Sequence, residues 1–201
     1  MKPDNPKGGP GTNQHAVKPG AVTPAQPRAA TQGTRQGAAN AADPAPAIRS
    51  LVARGELRLE RPTTGALKTD FDQARRDLRS VDFKLGNEDF IGAVRDSEAA
   101  FFNATSGHMR SLGVAPVQAG TTHETMIVYL REVCSDFIDE GEIKAVAAVK
   151  NLRNKTGYRF GQNKDQLVIK PLTAETARAA VGAVVDKLIG DVTARIPDWD
   201  A

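Results

Sequence analysis

The sequence predicts an all-α protein: a helical bundle of five to six helices over residues 47–201, behind a disordered N-terminal tail over residues 1–46. Three observations carry that expectation. Apolar residues beyond position 47 recur at the alternating spacing of a single helix face. Runs that favour strands are almost missing; Leu167-Val168-Ile169 is the clearest, and Pro171 cuts it short. The first 48 residues hold eight of the twelve prolines and no aromatic residue. They expose too little apolar surface to offset the entropy of ordering them.

The elements follow in order. Ile48, Leu51 and Val52 form a short apolar face that stops at Gly55, and residues 61–65 read as a loop. Leu67, Phe71, Ala74, Leu78, Val81 and Leu85 then make one long helical stripe. Gly86 is placed to end it as the left-handed residue after the C-cap, and Asn87, Glu88 and Asp89 to start the next helix. That helix carries Phe90, Val94, Ser97, Phe101, Ala104 and His108, widened by Ala93 and Ala100. Residues 113–120 read as a loop, and Thr121-x-x-Glu124 as a capping box. Met126, Leu130, Val133 and Phe137 are the expected core face of the following helix, with Ile127, Cys134 and Ile138 beside it. Gly141 separates it from a helix with Ile143, Val146, Ala147, Val149 and Leu152. A closing helix starts at Thr173 and buries Ala177, Val181, Val184, Leu188 and Val192.

The net charge of +3 invites a nucleic-acid reading, but its distribution withdraws the invitation. Lys2, Lys7, Lys18, Arg28 and Arg35 outnumber Asp4 and Asp43 by the whole excess, so residues 49–201 are neutral. No stretch approaches the ~20 apolar residues that span a bilayer, and the tail lacks the apolar core of a secretory signal. A single cysteine forms no intrachain disulfide. The expectation is a cytoplasmic protein that does not engage a membrane.

Catalytic residue types are few. His15, His108, His123 and Cys134 show no metal-ligand spacing, so neither metal nor cofactor is implied. Cys134, among apolar neighbours, reads as a buried inert thiol, and His108 as a packed or capping residue. His123 lies in the first turn of its helix, where a neutral hydrogen-bonding role is favoured. Charge is most polarised in the second half: residues 132–142 contain Glu132, Asp136, Asp139, Glu140 and Glu142 and no basic residue. Residues 143–170 contain Lys144, Lys150, Arg153, Lys155, Arg159, Lys164 and Lys170 against Asp165 alone, with Tyr158 and Phe160 among them. Such a run is either a solvated face or a surface that pairs phosphates with cations and stacks bases on aromatic rings.

Within that window, residues 152–160 (LRNKTGYRF) resemble the signature of the HEPN family, helical bundles in which Arg-Asn is followed by a His or Tyr that four residues separate from the Arg. Residues 74–78 and 86–90, followed by the small-residue helix over 93–104, resemble the family's first hairpin. Thr122-His123 is similar to the pair opening its next helix, and residues 173–177 to the start of its closing helix. The likeness covers about residues 47–195. It implies a homodimer whose two motifs meet across a cleft, and metal-independent cleavage of RNA where the motif ends in histidine. Here Arg153 and Asn154 match, but Tyr158 stands in the histidine position. A phenol of pKa near 10 is about 0.1% ionised at neutral pH, roughly 4 kcal/mol from acting as a base.

Two readings follow. In the first, the chain is a catalytically degenerate HEPN-like module that binds RNA or a nucleotide through Arg153, Asn154, Lys155, Tyr158 and Arg159. A cognate antitoxin or nucleotidyltransferase would be its partner. In the second, it is a ribonuclease toxin using Arg153 with Tyr158 or His123. The substituted motif favours the first.

Overall fold

A computed structural model describes residues 46–61, 63–117, 122–157 and 169–200. The tail expectation lies outside these residues, as do Thr121 of the expected capping box and Tyr158 and Arg159 of the motif. Among the described residues there are six helices and one two-stranded sheet: α1 Pro46–Ala53, β1 Leu57–Leu59, α2 Thr64–Gly86, α3 Phe90–Ser111, β2 Val114–Pro116, α4 Thr122–Val133, α5 Glu140–Gly157 and α6 Pro171–Arg195. The protein is a mainly helical bundle, as the apolar spacing predicts.

Every residue of the α2 stripe from Leu67 to Val81 is buried. Charged and polar pairs run down the α2–α3 contact in opposite order: Asp70 with Arg110, Asp77 with Asn103, Lys84 with Asp96. The two helices are therefore an antiparallel hairpin. They pack tightly at Gly107, where a Cβ would lie 3.1 Å from the Phe71 ring. α6 packs on both, with Arg178 paired to Asp82 and Asp191 to His108, and α4 and α5 form a second antiparallel pair. Trp199, beyond the end of α6, is fully buried on Phe71 with ring centroids 4.9 Å apart.

The small sheet departs from the expected loops. Gly55 (φ 72°) ends α1 and Gly113 (φ 74°) follows α3, and each turns the chain into a three-residue strand. The strands pair antiparallel, Leu57 opposite Pro116 and Leu59 opposite Val114. Neither has enough residues to show an alternating pattern, so periodicity does not reveal them.

Helix ends also differ from expectation. The left-handed position after α2 is filled by Glu88 (φ 60°), not Gly86. The Glu88 N–H donates to the Leu85 carbonyl and the Asp89 N–H to that of Lys84, a Schellman ending. Asp89, not Asn87, caps α3, accepting from the Gly92 N–H at 2.9 Å. Gly141 is not a separator: α5 begins at Glu140, closed by a reciprocal box between Asp139 and Glu142 (2.9 Å each way). α6 starts two residues before Thr173, with Pro171 in its first turn, where the missing N–H costs nothing.

Candidate functional site

α4 and α5 bring two of the expected site residues to one carboxylate. Glu98, on α3, is almost wholly buried, its side chain 8% exposed. Its Oε1 lies 2.7 Å from His123 Nδ1 at the start of α4, and its Oε2 lies 3.9 Å from Arg153 Nε on α5. The imidazole approaches off the hydrogen-bonding direction, so the contact is close and electrostatic rather than an aligned bond. Phe102, one turn further along α3, packs its ring 5.2 Å from that of His123. The basic side of the site is Arg153, 44% exposed, with exposed Lys155 beyond it. Arg153 Nη1 donates to Asn154 Oδ1 at 3.4 Å, so the Arg-Asn pair also acts as a local bracket. Lys150 donates to Glu124, whose carboxyl this contact holds below its usual pKa.

Of the expected site residues, the structure thus joins Arg153 and His123, pairs Asn154 with Arg153, puts exposed Lys155 two residues further along α5, and leaves Tyr158 and Arg159 outside the described residues. Residues 143–157 carry Lys144, Lys150, Arg153 and Lys155 and no acidic residue. Phosphate oxygens are the ligands this set can hold: the guanidinium supplies a fork of donors and the ammonium a point charge. Glu98 was not among the expected residues. It lies at the edge of the α3 apolar stripe, four residues after Val94 and three before Phe101, and makes its close contacts there with side chains of α4 and α5.

A second polar cluster lies in the core. His108 (1% exposed) places Nδ1 2.7 Å from the Tyr129 hydroxyl and Nε2 2.8 Å from Asp191 Oδ2. Arg195 bridges Asp191 and Ser111 Oγ, each at 2.8 Å. Burial lowers the His108 pKa, while its contact holds the Asp191 carboxyl down at about 2. Cys134 Sγ is 4.0 Å from His108 Nδ1, but the residue is fully buried and burial pushes its thiol up. An Asp–His–Cys order therefore carries no nucleophile here, in line with the inert thiol expected. The network instead ties α3, α4 and α6 together. The core face of α4 includes fully buried Tyr129 while Val133 is only partly buried, and the helix ends at Val133, so that Cys134, fully buried, and Phe137, partly buried, lie beyond it.

Among the described residues no group of His, Cys, Asp and Glu could hold a metal ion, and no helix is long and apolar enough to cross a membrane. No family model matches the sequence, and neither a curated protein nor a solved structure matches it.

Proposed function

We propose that this chain is a HEPN-like module that binds single-stranded RNA or a nucleotide on the α5 face, with Arg153 as the phosphate-holding residue. One observation carries the reading: Arg153 and His123, from different helices, meet at Glu98, and the stretch of α5 over residues 143–157 that holds Arg153 has basic residues and no acidic one. The reading is of a cytoplasmic homodimer working with a cognate antitoxin or nucleotidyltransferase; sedimentation at micromolar concentration checks the dimer. For the full-length chain, anisotropy of a labelled single-stranded RNA should show affinity that falls with salt. If three cations pair with phosphates, the logarithmic slope is about −2. Arg153→Ala should weaken binding by about tenfold, the worth of one charge-assisted contact, and reduce the slope by about 0.7. Binding that ignores Arg153 and salt overturns the reading.

A second reading, a metal-independent ribonuclease, is favoured by the same approach of His123 to Arg153, since a histidine beside a phosphate-holding arginine supplies the acid–base group that Tyr158 lacks. Incubating RNA with the protein and a chelator distinguishes the two. Cleavage lost in both Arg153→Ala and His123→Ala supports the ribonuclease; intact RNA with Arg153-dependent binding supports the binding module.

A further inference from the structure

We propose that Glu98 is a positioning residue that holds His123 and Arg153 as one unit. The inference rests on the phosphate-binding reading for its consequence, but not for its geometry. The carboxylate lies 2.7 Å from His123 Nδ1, off the ring nitrogen's axis, where it still attracts a proton on that nitrogen and repels a lone pair there. The proton of the neutral ring therefore sits on Nδ1 and the lone pair on Nε2. That is the reverse of the tautomer a neutral histidine prefers in water. The other carboxylate oxygen faces Arg153 across 3.9 Å, near enough to orient the guanidinium electrostatically and too far for a hydrogen bond. Packing keeps Glu98 in place: its side chain is 8% exposed, and the ring of Phe102, one turn further along α3, lies against His123 of α4. Removing His123 would release Oε1 to draw Arg153 inward, so the two residues share their effect on a bound phosphate.

Long-range nitrogen–proton NMR spectra of the full chain, at a pH where the rings are neutral, read the tautomer directly. His123→Gln identifies the signal. His108, whose Nε2 faces Asp191, is an internal reference of the opposite kind. The expected result is the Nδ1–H form for His123, shifting towards the Nε2–H form in Glu98→Gln, whose amide serves either tautomer. A dominant Nε2–H form in the native protein, or no change in Glu98→Gln, overturns the proposal. Binding of the labelled RNA supplies the second arm. His123→Ala and Arg153→Ala together should lose at least threefold less affinity than the product of the single losses, and in the Glu98→Gln background the losses should multiply. Losses that multiply in the native background overturn the proposal. Absence of any RNA binding would defeat the functional reading alone, because the tautomer still decides the role of Glu98.

Discussion

The neutral ring of His108 has one hydrogen-bonding arrangement open to it. Nε2–H donates to Asp191, and Nδ1 accepts from the Tyr129 hydroxyl. A second ring proton would force that hydroxyl to turn away inside the core, where an unmet donor costs about 1–3 kcal/mol. Burial accordingly keeps the folded-state pKa of His108 below the ordinary 6.5. The unfolded chain then takes up the proton first, so stability should fall as pH drops from about 6.5 towards that lower value. Asp191, held at about 2 against the ordinary 3.8, adds stability above about pH 4 that is lost as pH falls towards 2. Its carboxylate is partly exposed, so that second loss is discounted for solvent screening to about 1 kcal/mol. Urea titrations at a series of pH values check both windows. His108→Gln should lower stability by about 1–3 kcal/mol at neutral pH and flatten the loss just below pH 6.5; an unchanged profile would refute the assignment.

Among the elements, the α2–α3 junction compresses two helix ends into three residues. Glu88 takes a left-handed conformation that costs a side-chain-bearing residue about 1–2 kcal/mol, partly offset because glycine loses more entropy on folding. Glu88→Gly should therefore stabilise the protein by about 0.5–1 kcal/mol, seen as a higher urea midpoint with an unchanged slope. Asp89 caps the next helix through the Gly92 N–H, and Asp89→Ala should cost about 1 kcal/mol in the same measurement. Sequence reading places the turn correctly but assigns its roles two residues early, because Gly86 and Asn87 carry the stronger intrinsic preferences. The Asp139–Glu142 box was readable from its spacing alone, whereas Gly141 between them draws attention as a break.

For the whole molecule, the segment after α6 is structural. Trp199 is fully buried against Phe71, donates from Nε1 to Thr193 Oγ1 at 2.9 Å, and lies 5.5 Å beneath the Arg75 guanidinium. Trp199→Ala should cost about 3–5 kcal/mol and lower the melting temperature by roughly 10 °C; a shift of one or two degrees would mean the C-terminal turn contributes little. That tryptophan was missed because it stands alone beyond Pro197, with no periodic partner to mark it as apolar core. The long stripes of α2, α3 and α6 were legible because each repeats its apolar residues at helical spacing over many turns, and burial follows from that pattern alone. The basic stretch of α5, with Arg153 and Lys155, was legible as a run of like charge. The sequence by itself determined the helical class, the core faces of the long helices and the cationic window. Tertiary structure decided that Glu98 is buried between His123 and Arg153, that His108 is locked to Asp191, and that two three-residue strands pair. Those are contacts between distant segments, and no local period or propensity encodes which side chains will meet when helices pack.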